Sequence, residues 1–526
     1  MASFRMNQTQ SCRLRPTALA LLTLLILSTA QTASSARGDD RPNVILIYVD
    51  DLGFGDVSCY GATEVTTPHI DRLAKEGIRF TDAHSPAATC TPSRFAMMTG
   101  FYAWRKKGTG IAAGNAPALI RPGTTTMASI MGEAGYRSSV VGKWHLGLGD
   151  GDLDWNGKIS PGPLDIGFDE CFLVPATGDR VPTVYVENDR VFGLDPNDPL
   201  EVSYDKPIGN EPTGEKNPEL LRMKLTHGHD KTIHNGISRI GYQSGGKAAR
   251  WVDEEMADTL TERACDFIDR QAKAKQPFFL FYSLHDIHVP RTPHERFAGS
   301  TKMGPRGDVI VQADWAVGEV LKKLDELAIA ENTLVIFTSD NGPVLDDGYL
   351  DGAVKQRGSH NPAGPFRGGK YSIFEAGTRV PMLVRWPAQI KAGQVSGALM
   401  GQIDFCACFA SIVGVTLRPE QCVDSREHVP ALRGLDDRGR WFLVEQANKL
   451  ALRHGDWKYI EPAPGPAFFK TTGIESGLGA TAQLYDLSTD PGERMNVAAK
   501  FPKKVEELKK ILEGIRKEGA EAAKTL

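Results

Sequence analysis

The chain has 526 residues, of which 41% are hydrophobic and 24% are charged, and these proportions exclude a disordered or fibrous protein. Its 61 lysines and arginines are balanced by 65 aspartates and glutamates, which gives a formal net charge of -4. A chain without excess positive charge lacks the electrostatic footprint of nucleic-acid-binding proteins, and it is not attracted to an acidic membrane surface. The length fits one large α/β domain with an appendage, or two to four ordinary domains.

Residues 1–36 are predicted to be a secretory signal peptide. Three arginines precede an apolar run at residues 18–27, and small residues suited to cleavage follow it at 28–30 and 34–36. The apolar run is well short of the ~20 residues that span a bilayer. We therefore expect an exported protein, periplasmic or extracellular, with no membrane span after signal cleavage.

Four short apolar or β-branched runs alternate with helical patterns. This alternation predicts an α/β fold with a large mixed, mostly parallel sheet sandwiched by helices. The predicted strands are residues 44–49, 139–141, 278–282 and 334–337, and the predicted helices between them are 68–77, 125–134 and 308–330.

The rest of the chain differs from this pattern. Residues 151–246 are rich in glycine, proline, aspartate and asparagine, which predicts long loops that carry specificity. After residue 434 short strands are predicted at 441–445, 452–460 and 484–487, and an amphipathic helix ends the chain. We therefore predict a catalytic domain at residues 41–434 and a smaller C-terminal α+β subdomain at 435–526.

Reactive side chains follow each predicted strand. They are Asp50 and Asp51, Lys143 and His145, His285 and His288, and Asp340 and Asn341. Because ligands of open α/β sheets bind outside the carboxyl ends of the strands, we expect these groups to converge. Either acidic pair alone could form a helix cap or a turn. Three carboxylates together would repel each other unless a cation or positive side chains neutralised them, and all-oxygen ligands favour Ca²⁺ or Mg²⁺.

Cys90 lies two residues before Pro92, and proline is favoured in the first turn of a helix. This spacing places Cys90 beside a helix N-terminus, which is a natural anion site. The alternative is a buried thiol at a helix start. Seven cysteines remain after signal removal, and an odd number in an oxidising compartment points to a special thiol. The pair Cys406 and Cys408 has no matching second pair, so no zinc site is predicted.

At this point the sequence closely resembles the sulfatase family of the alkaline-phosphatase-like superfamily. The run from Cys90 to Arg94, followed by Thr99 and Gly100, matches the signature at which the cysteine is converted to formylglycine. Further matching motifs occur in the expected order, at residues 50–53, 135–145, 339–342, 367–370 running to 379–381, and 484–487 with 490–493. The resemblance covers nearly all of the mature chain.

The resemblance implies a set of ligands and a maturation step. Asp50, Asp51, Asp340, Asn341 and the modified Cys90 would ligate one divalent cation, usually Ca²⁺, with Mg²⁺ as the alternative. A formylglycine-generating enzyme would act on Cys90 during maturation. One hydroxyl of the hydrated aldehyde would attack sulfur and form a covalent sulfate ester, and the second would allow sulfate to be expelled.

The resemblance also implies the roles of the remaining side chains. His145 would deprotonate the second hydroxyl, and His288 would protonate the leaving alcohol. Lys143, Lys370 and Arg94 would hold the sulfate oxygens and the formylglycine hydroxyl. Ile287 precedes His288 where the family often has proline, and His285 is expected to be structural.

The substrate is expected to be a sulfated sugar. Residues 226–241 look like a segment of bacterial sulfatases that act on carbohydrates, which favours a sulfated sugar, with 6-O-sulfated galactosamine as the candidate unit. The near-neutral charge offers no long basic track for a polyanionic chain, which favours sulfate removal from chain ends or small oligosaccharides. The segment 226–241 contains His227, His229 and His234. We expect them to contact the substrate and not to bind a second metal ion. The alternatives are a phosphonate or phosphate diester hydrolase of the same superfamily, and a non-catalytic protein that binds sulfated glycans.

Overall fold

The computed structural model describes residues 41–525, and the signal peptide predicted for residues 1–36 lies outside them. Ten strands form one large sheet. In chain order they are β1 (Asn43–Val49), β2 (Ile78–Phe80), β3 (Arg137–Lys143), β4 (Glu170–Val174), β5 (Val186–Glu187), β6 (Arg190–Val191), β7 (Phe278–Ser283), β8 (Thr333–Ser339), β9 (Met382–Arg385) and β10 (Gln394–Ser396).

The strand order across this sheet is β10-β2-β9-β8-β1-β7-β3-β4-β5-β6. The five central strands, from β8 to β4, are mutually parallel, whereas β9 pairs antiparallel with both of its neighbours. All four predicted strands are among these five, so the predicted mixed, mostly parallel sheet is confirmed. Strand β1 lies near the centre and is buried on both faces, which explains its continuous apolar run.

Helices cover both faces of the sheet. The longer ones are α1 (Pro68–Glu76), α2 (Cys90–Thr99), α3 (Met127–Glu133), α4 (Met256–Ala274), α5 (Pro305–Glu326), α6 (Phe405–Val413) and α7 (Pro502–Lys517), and one-turn helices occur at Ala353–Gln356, Glu375–Thr378 and Val429–Leu432. Leu46 and Tyr48 pack in the same core as α2, α3 and α6. Ile45 and Ile47 point to the other face, where α1, α4 and α5 pack.

The strand register aligns the carboxyl ends of the central strands. Val49 of β1 pairs with Ser339 of β8, Tyr48 pairs with Ser283 of β7, and Ser283 pairs with Gly142 of β3. A Cβ on Gly142, which has φ 110°, would lie 1.8 Å from the Ser283 carbonyl oxygen, so glycine lets β3 approach β7. The residues that follow these positions therefore start at one edge of the sheet.

Four further strands form an antiparallel sheet near the C-terminus: β11 (Phe442–Gln446), β12 (Leu450–His454), β13 (Trp457–Ile460) and β14 (Gln483–Asp486). The run 452–460 is predicted as one strand, and this is wrong because the chain reverses at Gly455, whose φ is 56°. Helix α7 buries Leu508, Leu512 and Ile515 in the apolar cluster of this sheet. The small C-terminal sheet with its helix agrees with the predicted α+β composition.

Residues 151–246 contain long loops, but they also supply β4, β5 and β6 of the large sheet. Strands β5 and β6 have two residues each, which is too short for a periodic pattern to reveal them. Elsewhere in this stretch the strands form two-stranded pairs. In the described part of the chain, no helix combines the length and the apolar character required to cross a membrane.

Asp56 and Arg306 form a buried ion pair whose contribution to stability depends on pH. Both carboxylate oxygens of Asp56 accept hydrogen bonds from the Arg306 guanidinium at 2.7 Å, and His360 lies 2.7 Å from Oδ1. Burial alone would raise the pKa of Asp56, but Arg306 lowers it to about 2 from 3.8. Because the folded-state pKa is depressed, this stabilisation is present above about pH 4 and is lost as the pH falls toward 2.

We expect Asp56→Asn to lower the free energy of unfolding by about 3–5 kcal/mol, because it leaves the Arg306 charge buried and unpaired. Urea denaturation at neutral pH measures this loss. The control is Asp325→Asn, which removes the partner of Arg72 in a pair at the surface and should cost less than about 1 kcal/mol. Equal losses in the two variants would contradict the prediction.

Candidate active site

The side chains predicted at the strand ends lie together at the carboxyl edge of the large sheet. All of them are buried, and so are the additional groups from α2 and from the loop before β9. The set comprises Asp50, Asp51, Cys90, Arg94, Lys143, His145, His285, His288, Asp340, Asn341 and Lys370. Because water is excluded, charges in this group interact more strongly than they would at the surface.

Cys90 is the first residue of α2 and is 1% exposed. Pro92 lies in the first helical turn, where a missing N–H breaks no helical hydrogen bond. The predicted position of Cys90 at a helix N-terminus is therefore confirmed. Burial raises the pKa of the Cys90 thiol, so the unmodified side chain is a protonated thiol and a poor nucleophile at neutral pH.

Arg94 ties the ends of three strands together from the next turn of α2. Its Nε donates to Asp340 Oδ2 at 2.9 Å, and its Nη1 donates to Ser283 Oγ at 2.6 Å and to the Lys143 carbonyl oxygen at 3.1 Å. The guanidinium also lies over the Tyr48 ring, 5.2 Å from its centroid. Arg94 thus holds the Asp340 carboxylate in place as well as adding a positive charge.

Two lysines contact the first two carboxylates. Lys143 Nζ donates to Asp50, and Lys370 Nζ donates to Asp51 Oδ2 at 2.9 Å and to Asp347 Oδ2 at 2.8 Å. Burial would lower the pKa of Lys370, but Asp347 and Asp51 raise it well above its ordinary value. Lys370 is therefore charged at neutral pH.

The carboxylates and Asn341 offer oxygen atoms suited to a cation. Asn341 Nδ2 donates to Asp51 Oδ1 at 2.8 Å, so its Oδ1 remains as an acceptor. Within residues 41–525, neither this oxygen nor Asp50 Oδ1 has a hydrogen-bond donor, although both are buried. Ligand atoms of Asp50, Asp51 and His288 also lie within 4.8 Å of one another. Buried acceptors without donors are costly, and a hard divalent cation would satisfy them.

His145 presents one ring nitrogen as a free base. Its Nε2 donates to the Ala112 carbonyl oxygen at 2.9 Å, so the proton is on Nε2 and Nδ1 carries a lone pair. Nδ1 is buried, and no described residue hydrogen-bonds to it. Burial and the nearby Lys143 lower the pKa of His145 well below its ordinary value. A neutral imidazole whose lone pair has no hydrogen-bond donor can accept a proton from a bound group.

The two histidines after β7 face different partners. His288 Nδ1 donates to the Val289 carbonyl oxygen at 2.7 Å, and its Nε2 lies 3.8 Å from Asp51 Oδ2. His285 Nε2 accepts from the Gly178 backbone N–H at 2.8 Å, and burial lowers the pKa of His285 to about 4. His288 is therefore directed toward the carboxylates, whereas His285 supports the loop around Gly178.

Two acidic residues of this region are not indicated by any motif in the sequence. Asp347 accepts from Lys370 and from the Tyr371 hydroxyl at 3.1 Å. Asp179 accepts from His229 Nε2 at 2.9 Å and forms an ion pair with Arg180 at 2.8 Å. Both lie in loops without a recognisable motif. Asp347 follows Asn341 closely along the chain, whereas Asp179 lies within the predicted specificity loops far from any predicted site residue.

The three loop histidines do not converge on one point. His229 contacts Asp179, His234 Nδ1 lies 2.6 Å from Thr183 Oγ1, and His227 Nδ1 lies 3.9 Å from Asp346 Oδ1. Among the described residues, the clusters of potential metal ligands include none of the three. Of these three histidines, only His229 contacts Asp179, which follows Gly178 in the loop that His285 supports.

Without a cation, the ionised side chains of the site leave one excess negative charge. Three cationic side chains face four aspartates, namely Arg94, Lys143 and Lys370 against Asp50, Asp51, Asp340 and Asp347. A divalent cation would change the net charge of this group from one negative to one positive. Such a pocket would attract a singly charged anionic ester and stabilise charge that develops during its cleavage.

Comparison with known proteins agrees with this site. The family model named Sulfatase matches residues 42–415. The N-acetylgalactosamine-6-O-sulfatase of Bacteroides thetaiotaomicron is 51% identical over 485 residues, which cover 92% of this chain and 94% of that protein. The steryl-sulfatase of Mus musculus is 33% identical over 530 residues, which cover 92% and 83%.

One solved structure, described with the metabolism of multiple glycosaminoglycans by B. thetaiotaomicron, is also similar. It is 51% identical, has a TM-score of 0.89, and the match covers 91% of this chain and 99% of that one. The family match spans most of the chain, and both relatives are sulfatases, of which the matches cover 94% and 83%. The chain therefore belongs to the sulfatase family of the alkaline-phosphatase superfamily and is a sulfuric ester hydrolase.

Proposed function

We propose that this sulfatase releases inorganic sulfate from a 6-O-sulfated N-acetylgalactosamine-type sugar. The observation that carries the proposal is the 51% identity, over 92% of the chain, to an N-acetylgalactosamine-6-O-sulfatase. The loop residues Asp179, Arg180 and His229 support it, because a buried carboxylate and a half-buried guanidinium are suited to hydroxyl groups of a sugar.

We propose that Cys90 acts after conversion to formylglycine. The buried protonated thiol of unmodified Cys90 is a poor nucleophile, whereas the hydrated aldehyde would supply one hydroxyl to attack sulfur and a second to allow sulfate release. Because Cys90 is 1% exposed in the folded chain, a modifying enzyme must reach it before folding is complete. A formylglycine-generating enzyme is thus the expected maturation partner.

One divalent cation, Ca²⁺ or alternatively Mg²⁺, is proposed to be held by Asp50, Asp51, Asp340, Asn341 and the modified Cys90. When bound, the cation would polarise the sulfate group and the attacking oxygen. The buried acceptors Asp50 Oδ1 and Asn341 Oδ1 support this assignment. Arg94 keeps Asp340 oriented through its 2.9 Å hydrogen bond.

The remaining side chains supply charge and proton transfer. Lys143 and Lys370 would bind the sulfate oxygens with their ammonium groups. His145 Nδ1 is the base, because Nε2 is fixed as a donor by Ala112. His288 would protonate the leaving alcohol from Nε2. Burial and Lys370 lower the pKa of His288, and the negative charge of a bound sulfate ester would raise it again.

We also propose that the protein is exported, as the pattern in residues 1–36 indicates. All seven cysteines in the described residues are free thiols. The large sheet and its helices bury enough apolar surface for stability without disulfide bonds.

The test of the proposed substrate uses protein produced together with a formylglycine-generating enzyme. Inorganic sulfate release is measured from N-acetylgalactosamine 6-sulfate, its 4-sulfate isomer and N-acetylglucosamine 6-sulfate, with calcium present. We expect the 6-sulfated galactosamine to have the highest kcat/KM, by at least about 100-fold, because buried polar groups discriminate strongly between hydroxyl arrangements.

An aryl sulfate and an aryl phosphate are included in the same assay. Faster turnover of either alternative sugar would overturn the proposed substrate but keep the sulfatase. Faster cleavage of the aryl phosphate would instead support the phosphonate or phosphate ester alternative.

A further inference from the structure

The one-turn helix Glu375–Thr378 lies directly against a proposed cation ligand. The Gly342 backbone N–H, next to Asn341, donates to the Gly377 carbonyl oxygen at 2.9 Å. A Cβ on Gly342 would lie 1.6 Å from the Ala376 carbonyl oxygen. The two backbones are therefore in the closest contact that glycine allows, and movement of the helix would move Asn341.

Two other segments with reactive groups contact the same helix. The Ala376 N–H donates at 2.9 Å to the carbonyl oxygen of Arg367, three residues before Lys370. Ser85 lies five residues before Cys90, and its N–H donates at 2.8 Å to the Thr378 carbonyl oxygen. One short helix thus supports the chain segments of the nucleophile, a cation ligand and a sulfate-binding lysine.

Glu493, from the C-terminal motif at residues 490–493, holds this helix at its first residue. Its Oε2 accepts from the Glu375 N–H at 2.5 Å, and its carbonyl oxygen accepts from Arg367 Nη1 at 2.7 Å. Glu493 therefore fixes both ends of the segment that carries Lys370. The motif has no other function in the proposed reaction.

The C-terminal sheet surrounds this contact with buried charges. Lys458 of β13 lies 3.1 Å from Glu375, 2.7 Å from Glu445 of β11 and 3.3 Å from Glu493, and the four side chains are fully buried. Arg453 of β12 adds a contact of 3.2 Å to Glu375. Such a network is held rigidly, because displacing Lys458, Arg453 or Glu375 leaves a buried charge unpaired.

We infer that Glu493 is a positioning residue for the active site, acting through the helix Glu375–Thr378 on Asn341 and Lys370. The C-terminal sheet is then part of the catalytic apparatus, although none of its residues contacts the reacting atoms. The inference rests on the proposed function for its kinetic readout, and a second readout is independent of turnover.

The variant Glu493→Gln distinguishes the effect of the side chain's shape from the effect of its charge. Burial, with Glu375 and Glu445 nearby, raises the pKa of Glu493 to about 8, so its carboxyl group is largely protonated at neutral pH. Glutamine has the same shape and retains an oxygen that can accept from the Glu375 N–H. Alanine removes the acceptor, and aspartate keeps the carboxyl group but shortens its reach.

The test compares Glu493→Ala, Glu493→Asp and Glu493→Gln in the full-length matured protein, well below the melting temperature of each variant. We expect Glu493→Ala to lower kcat by ~10- to 100-fold, the cost of a small misplacement of reacting groups, with KM changed less than about threefold. Glu493→Gln should stay within about threefold of the unmutated protein, and Glu493→Asp should fall between the two. If Glu493→Ala does not fold, the comparison of Glu493→Asp with the unmutated protein takes its place.

Hydrogen–deuterium exchange provides the second readout. In Glu493→Ala the backbone amides of residues 341–342 and 370–378 should exchange faster, whereas Glu493→Gln should leave them protected. This result decides the inference even if the unmutated protein releases no sulfate from any substrate.

The matched control is Asp424→Ala. Asp424 forms a buried ion pair with Arg105 at 2.7 Å, and Arg105 also donates to the Ile515 carbonyl oxygen in α7. This pair joins α7 to the segment that follows α2, without contacting Glu375–Thr378. Asp424→Ala should lower stability but change kcat less than about threefold. An unchanged kcat and unchanged exchange in Glu493→Ala, or an equal loss of kcat in Asp424→Ala, would overturn the inference.

Discussion

Cys90→Ala is expected to abolish sulfate release, with a fall in kcat on the order of 10⁴–10⁶-fold, as removal of a nucleophile does in other hydrolases. Cys90 is the first residue of α2, and it lies in the field of Lys143 and Lys370. The methyl group of alanine fits the buried position, so folding should be retained. Circular dichroism and a melting curve check that condition.

Cys90→Ser extends this prediction to the second hydroxyl. A serine offers one hydroxyl, so attack on sulfur could occur once, but nothing on that carbon could then expel sulfate. We expect at most one equivalent of alcohol per protein chain, with no steady turnover, and a mass increase of the intact protein that corresponds to one SO3 unit, because the serine supplies the ester oxygen. Steady turnover by either variant would contradict the assignment of Cys90 as the precursor of the nucleophile.

His288→Ala is expected to lower kcat on a sulfated sugar by ~10²- to 10⁴-fold, the usual contribution of a general acid. A sugar alkoxide is a poor leaving group and needs a proton, whereas a phenol has a pKa near 10 and leaves more readily as its anion. The loss on an aryl sulfate should therefore be much smaller, about tenfold or less. Parallel kinetics on the two substrates measure this difference.

His285→Gln is the matched control for that experiment. Glutamine can still accept from the Gly178 N–H that His285 Nε2 accepts from in the structure. We expect both substrates to be affected equally, by less than about threefold. If His285→Gln showed the large loss specific to the sugar, and His288→Ala did not, the roles of the two histidines would be reversed.

Most of the large sheet could be predicted because its central strands are buried on both faces. The sequences of β1, β7 and β8 are nearly continuous in apolar residues, whereas a strand at the surface would alternate apolar and polar residues. Strands β5 and β6 could not be predicted, because two residues give no pattern. The reversal at Gly455 could have been predicted, because Gly455 and Asp456 form a turn dipeptide between two strand runs.

The convergence of the site could also be predicted, because parallel strands bring their carboxyl ends to one edge. Asp50, Asp340 and Lys143 needed only this rule and their positions after strands. Asp347 and Asp179 could not be found in this way, because they lie in loops whose paths depend on tertiary packing. The contact of Glu493 with Glu375 joins residues 118 apart, and no local pattern indicates it.

The central claim is that sulfate release depends on conversion of Cys90 to formylglycine. The most direct measurement produces the protein with graded amounts of a formylglycine-generating enzyme and determines the converted fraction of Cys90 by peptide mass spectrometry. Sulfate release from N-acetylgalactosamine 6-sulfate is then measured on each preparation with calcium present. We predict that kcat per chain rises in proportion to the converted fraction and extrapolates to zero for unconverted protein. Undiminished sulfate release from protein whose Cys90 is entirely unconverted would contradict the account.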